Sequence, residues 1–216
     1  MSDNIFEIND LSNIKVVDYG ETQIYYMDNF YKYPDKVHDY VTSITPALWK
    51  SREKNSYNGI YFEDRRHYIK DKRMGEVSQR LSEMIKKVPL HPNTLVTNFS
   101  RFVENEFNDY KNNFWWPHID DGPNAIIYLN KDIPEEHDGT SIYIKKNEYK
   151  IEGTEHNNPW QKKENWEKII DIRASYNRLA IFDGSYYHAM NISDKRFFGK
   201  TLDDAKFRIN QVIFFD

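Results

Sequence analysis

Cysteine is absent from this 216-residue chain. Its absence removes disulfides, thiolate metal sites and a cysteine nucleophile together, so any metal must be held by His, Asp or Glu. A surplus of positive charge is missing too. Charged residues make up 30% of the chain, yet the formal net charge is only -4, which excludes an overall basic field and with it nucleic acid as an obligatory partner. Long apolar runs are lacking as well. No stretch approaches the length of a membrane span, and the start Met1-Ser2-Asp3-Asn4-Ile5-Phe6-Glu7 has neither the basic opening nor the apolar centre of a signal peptide. The expectation is a soluble cytoplasmic protein, with no membrane partner, that acts on a small molecule or a peptide.

Aromatic residues, by contrast, are plentiful: 16% of the chain, with 16 Tyr and 13 Phe, most of which serve as core. The length suits one domain, 1–216, large enough to bury a core of its own. Its first part, 1–93, reads as an N-terminal strand with supporting helices. Gln23-Ile24-Tyr25-Tyr26-Met27 is β-prone, Val37, Tyr40, Val41 and Ile44 follow helical spacing up to Pro46, and Met74, Val77, Leu81, Met84, Ile85 and Val88 line one face between about Asp71 and Lys87. The polar, Tyr-rich stretch from Arg52 to Lys70 reads as loop. From Thr94 the texture changes to short β-rich runs separated by Asn, Asp, Gly and Pro, the pattern of an all-β sandwich or barrel. The expected strands are Leu95–Val103, Trp115–Asp120, Ala125–Asn130, Thr140–Lys145, Tyr149–Glu152, Arg178–Phe182, His188–Ile192 and Phe207–Phe215. Eight strands suffice for a jelly roll. The fold class is therefore mainly β (α+β): a double-stranded β-helix, or jelly-roll/cupin-like, core over 94–216, with an inserted helix near 158–172 where Trp166, Ile169 and Ile170 share a face.

Three potential metal ligands stand out. In an extended strand His118 and Asp120 project from one face about 7 Å apart, and His188, 68 residues beyond Asp120, follows a β-prone run that antiparallel closure can bring alongside. Two imidazoles and a carboxylate form the facial set that holds non-haem Fe(II) and leaves positions open. An H-x-D pair alone is common, and His188 alone is more often structural. The other histidines, His38, His67, His91, His137 and His156, sit in polar or loop-like contexts. A second kind of signal comes from Phe207-Arg208-Ile209-Asn210-Gln211-Val212-Ile213-Phe214-Phe215, where alternation sets Arg208, Asn210, Val212 and Phe214 on one face. If that face looks inward, a guanidinium is buried and calls for an anion, best a carboxylate in bidentate geometry. A dicarboxylic cosubstrate could chelate the metal at one end and meet Arg208 at the other; the alternative is an Arg at the exposed start of a strand.

At this point the residues resemble the Fe(II)/2-oxoglutarate-dependent oxygenases, prolyl-4-hydroxylase-like branch, over roughly Leu95 to Phe215. The likeness rests on an ordered set: Pro117-His118-Ile119-Asp120, then Ala125-Ile126-Ile127-Tyr128-Leu129-Asn130, then Asp138-Gly139-Thr140-Ser141-Ile142-Tyr143, then Asn177-Arg178-Leu179-Ala180-Ile181-Phe182-Asp183-Gly184, His188 and Arg208. The resemblance implies His118, Asp120 and His188 as iron ligands and catalytic centre, Arg208 as anchor for the distal carboxylate of 2-oxoglutarate, and Tyr128 and Asn130 as further cosubstrate contacts. It implies Fe(II) as cofactor, 2-oxoglutarate and O2 as cosubstrates, and hydroxylation with release of succinate and CO2. Related halogenases have a small residue in place of the carboxylate, so Asp120 favours hydroxylation. The chain departs from the family where many members have a Lys about ten residues after the distal His; here Arg208 follows by 20, with Arg196 and Lys200 between. Trp116 and Tyr187 flank the ligands and are candidates for a substrate mouth, with 52–70 and 193–206 as lids. Two other readings stay open: a cupin-like metalloenzyme that uses no 2-oxoglutarate, and a non-catalytic jelly-roll binding or structural protein.

Overall fold

A strand that is apolar on both faces has to be covered twice, and this chain meets that demand with helices on one side of a sheet and further strands on the other. The computed structural model describes residues 4–20, 22–50, 62–105, 111–131, 139–146, 149–151, 159–192 and 194–216. In chain order the elements are β1 (Lys15–Asp18), β2 (Gln23–Met27), α1 (Pro34–Lys50), β3 (Phe62–Lys70), α2 (Met74–Ile85), β4 (Thr94–Val103), β5 (Asn113–Trp115), β6 (Pro123–Tyr128), β7 (Thr140–Lys145), β8 (Trp160–Lys162), β9 (Trp166–Ile172), β10 (Leu179–Asp183), β11 (Tyr187–Met190), β12 (Phe198–Gly199) and β13 (Arg208–Phe214). The architecture is mainly β. Named strands pair antiparallel, apart from the short parallel contact of β12 with β4.

The larger sheet runs β1-β2-β10-β6-β13-β4-β12, with β3 also paired to β4. Alternation splits its side chains between two cores. Leu95, Phe99, Ala125, Ile127, Leu179, Ile181, Ile209 and Ile213 face the helices, where Val37 and Val41 of α1 and Met74, Val77 and Leu81 of α2 cover them. Ile126, Tyr128, Ala180, Phe182 and Val212 face the other way, onto Ile142, Ile170 and Ile172 of the three-stranded sheet β11-β7-β9. Arg208 and Asn210 share this interior face with Val212. A third cluster, rich in aromatic rings, gathers Phe102, Trp115, Tyr143, Trp166, Phe197 and Phe198.

Five expectations need correction. The segment expected as a helix near 158–172 forms β8, a 3-10 turn over Lys163–Asn165, and β9. The cause is a β-bulge: Ile142 pairs with Ile170 but Tyr143 with Lys168, so Ile169 is the extra residue and stays 36% exposed. Its insertion spaces the buried Trp166 and Ile170 four apart, which imitates a helical face. The polar stretch expected as loop and lid contains β3 over 62–70, paired along its whole length with β4; residues 51–61 lie outside the described part. The middle of β3, Glu63 to His67, is polar on both faces and its apolar residues, Phe62, Tyr68 and Ile69, sit at the ends, so no apolar alternation was available to read; the buried His67 packs 5.7 Å from the Phe99 ring. The expected strand Trp115–Asp120 stops at Trp115, before Pro117, which has no N–H for a ladder, and resumes only as a single bridge at His118. Finally, Tyr149–Ile151 is not a strand, and α1 continues past Pro46 to Lys50.

Candidate metal centre

The three candidate ligands come from two segments, His118–Asp120 and the stretch around β11, that backbone hydrogen bonds bring together. His118 N donates to His188 O at 3.0 Å and His188 N returns a bond to His118 O at 2.8 Å, which sets the two rings side by side with centroids 4.4 Å apart. Asp120 N donates to Gly184 O at 2.8 Å and Gly184 N to Gly122 O at 3.1 Å, so the turn after β10 fixes the carboxylate's backbone. That approach is close: a Cβ on Gly184 would stand 2.3 Å from Gly122 O and 3.0 Å from Asp120 Cβ. One nitrogen or oxygen of each of His118, Asp120 and His188 then lies within 4.8 Å of the others.

The surroundings suit the donor set to a cation. His118 Nδ1 lies 3.1 Å from Trp116 O and His188 Nδ1 lies 2.9 Å from Tyr186 O. A carbonyl can only accept, so each Nδ1 carries hydrogen and each Nε2 is turned toward the shared space. His188 is buried, and Phe182 meets its ring edge to face at 5.0 Å. Burial pushes the Asp120 carboxyl up, but hydrogen bonds to His188 and Asn124, with the charges of His188 and His118, outweigh it and hold the group well below the usual carboxylate range. His188 Nε2 and Asp120 Oδ2 lie 3.3 Å apart, close enough for one cation to meet both.

Asn124, at the start of β6, is the residue the sequence reading missed. Its Nδ2 donates to Asp120 Oδ2 at 2.6 Å and lies 3.3 Å from His188 Nε2, while its buried Oδ1 has no hydrogen-bond partner. In Asp121-Gly122-Pro123-Asn124 it looks like part of a turn. The available signal was alternation, since Asn124 leads Ile126 and Tyr128 on one face.

The cosubstrate candidates divide. Arg208 is 5% exposed and lies on the interior face, with Nη2 donating to Gly139 O at 2.8 Å. Its rivals are engaged or outside: Arg196 is ion-paired with Asp194, and Lys200 is exposed. Tyr128 lies beside this arginine, opposite Asn210 of β13, with its hydroxyl 3.1 Å from Thr140 Oγ1; burial pushes its phenol up and keeps it neutral. Asn130 has a backbone task. Its Nδ2 donates to Phe207 O at 2.8 Å and its Oδ1 accepts from Ile209 N at 2.7 Å, bracketing Arg208. Of the mouth candidates, Trp116 is half-buried against the aromatic cluster, and Tyr187 packs on Trp166 with centroids 5.0 Å apart, on the face opposite to His188. Comparison with known proteins found no family model that matches the chain and no curated protein significantly similar to it.

Proposed function

We propose that this chain is a metal-binding protein built on a double-stranded β-helix. Strand order supports the reading. Counting β4, β5, β6, β7, β9, β10, β11 and β13 as eight core strands, one row is first-eighth-third-sixth. The other row, joined through the His118–His188 bridge, is second-seventh-fourth-fifth, and two Greek keys generate both.

Within that class, the function proposed is that of an Fe(II)- and 2-oxoglutarate-dependent oxygenase. The observation that carries it is the convergence of His118, Asp120 and His188 on the same interior face that buries Arg208. Two imidazoles and one carboxylate suit Fe(II), and they leave open positions on it. A zinc hydrolase has use for the same donors but none for a deep guanidinium on the same face, whereas a dicarboxylate needs both ends held. When bound, Fe(II) with 2-oxoglutarate and O2 supplies oxidation of a C–H bond to an alcohol, coupled to release of succinate and CO2.

The chain's own residues have separate tasks. The carbonyls of Trp116 and Tyr186 hold both imidazoles in the ligating tautomer, and the Asn124 amide holds one oxygen of Asp120 so that the other can turn to the metal. Arg208 receives the distal carboxylate of 2-oxoglutarate, Tyr128 offers a neutral hydroxyl beside it, and Asn130 fixes the strand between them. Ile126, Ile142 and Phe182 keep water from this end of the interior. Anaerobic titration with Fe(II) and 2-oxoglutarate tests the reading: a weak visible charge-transfer band appears with the native protein and is lost when Asp120 and His188 are both replaced by Ala. No band in the folded native protein, or a band that survives the double replacement, sinks the proposal.

A further inference from the structure

Arg66, unlike Arg65, Arg73, Arg101, Arg178 and Arg196, has no carboxylate partner among the described residues. It lies in β3 opposite Asn98 of β4, and Asn98 lies opposite Asn210 of β13, so Arg66 shares the interior face with Arg208 and Phe214. Its side chain reaches across β4. Nε donates to Asn98 Oδ1 at 2.9 Å, and the guanidinium carbon stands 4.7 Å from the centre of the Phe214 ring. Phe214 is in turn the cross-strand neighbour of Asn124, the residue that holds Asp120. An amide and an aromatic ring therefore fix this guanidinium on the larger sheet, beside the strand end where Asn124 meets the candidate ligand Asp120. Elsewhere Arg65 and Arg101 pair with Glu63, Arg73 with Asp71 and Arg178 with Asp28. Asp64, the nearest carboxylate along the same face in sequence, accepts the Ser100 hydroxyl.

The interior face thus carries two guanidinium groups at different depths: Arg208 is buried, and Arg66 is open to solvent. Asn98 occupies only the Nε–H of Arg66, so both Nη groups face outward as a fork suited to a planar or tetrahedral oxyanion. Because Asn98 and Phe214 already hold that fork, binding orders it at little further entropic cost. We infer that the primary substrate carries an oxyanionic group, a carboxylate or a phosphate ester, that docks on Arg66 while one of its C–H bonds is presented to the metal. This inference rests on the oxygenase reading for the second half of the statement only; the anion site stands on Arg66, Asn98 and Phe214.

The test uses protein loaded with Fe(II) and 2-oxoglutarate under argon, so that Arg208 is engaged, and titrates it calorimetrically with benzoate, phenyl phosphate and benzamide. The expected result is saturable millimolar or tighter binding of at least one anion, none of benzamide, and at least about tenfold weaker anion binding in Arg66→Gln, a loss of about 1.4 kcal/mol. The tighter of the two anions identifies the docked group as carboxylate or phosphate. If neither anion binds, or if Arg66→Gln binds them as the native protein does, the inference is overturned. The visible band, recorded on the same samples, separates the two proposals. Arg66→Gln keeps the band while losing the anion; Arg66-dependent anion binding in protein that never develops the band refutes the oxygenase and leaves the docking site standing.

Discussion

Asn130 and Arg208 belong together at the residue scale. A buried guanidinium is useful only if its backbone is fixed, and the Asn130 amide engages the chain on both sides of it. Of the cations after the distal His, Arg208 alone lies in a strand pattern, which favoured it over Arg196 and Lys200; its burial is a tertiary fact, and Arg196 is engaged by Asp194. A second residue-scale device lies before α2. Asp71 accepts from Arg73 through Nε at 2.9 Å, Nη2 at 2.6 Å and the backbone N at 3.0 Å, and from the Tyr40 hydroxyl at 3.2 Å. The Arg73 side-chain bonds are the main reason that its carboxyl is held below the usual range; burial opposes them, while the Arg73 backbone N–H, the guanidinium charge and Tyr40 assist. A depressed folded value means that this stabilisation is complete above the unfolded value of about 3.9 and disappears as pH falls through the folded one. Asp71→Asn should therefore cost about 1–2 kcal/mol near neutrality, allowing for the partial exposure of Arg73, and progressively less in acid. Denaturant unfolding of both proteins across that pH range checks it, and a difference that stays constant with pH refutes the account.

At the scale of elements, legibility followed periodicity. β2 and β7 were read to the residue because each is a short, uninterrupted β-prone run. α2 came out shorter than the Asp71–Lys87 expected, because Lys86 takes a left-handed conformation, φ 56°, and ends it. β9 was misread because the bulged Ile169 puts an apolar residue beside Ile170 at helical spacing from Trp166, and β3 because its middle, Glu63 to His67, carries no apolar pattern. The iron-ligand candidates were legible as residue types in an order. The pairings that unite them, His118 with His188 and Asp120 with Gly184, are long-range facts no local pattern contains. Gly184→Ala is the corresponding prediction. The added methyl meets Gly122 O and Asp120 Cβ, so the turn must shift the carboxylate, and the Fe(II)–2-oxoglutarate titration should weaken at least about tenfold. Unchanged titration in this variant would mean that the turn relaxes without moving Asp120.

Over the whole molecule, labour is divided between the two faces of the larger sheet. The helix-covered face is apolar, with Val77 and Leu81 of α2 against Leu95 and Phe99 of β4, while the opposite face carries both guanidinium groups and, through Asn124 and Phe182, meets the candidate ligands. Leu81→Ala should destabilise the protein by about 2–5 kcal/mol while the charge-transfer band of the folded fraction stays unchanged. A band lost in step with stability would mean that the two faces are not independent. The doubly hydrogen-bonded His118–His188 bridge has a further consequence, in the language of exchange clocks. Each amide in it can trade its hydrogen for deuterium only when the strands part, and parting them separates two candidate ligands. Metal that binds only the closed form must then slow both amides by the factor 1 + [metal]/Kd, about tenfold for every 1.4 kcal/mol of linkage. Two backbone hydrogens thereby become a gauge of metal occupancy that needs no substrate, no oxygen and no turnover.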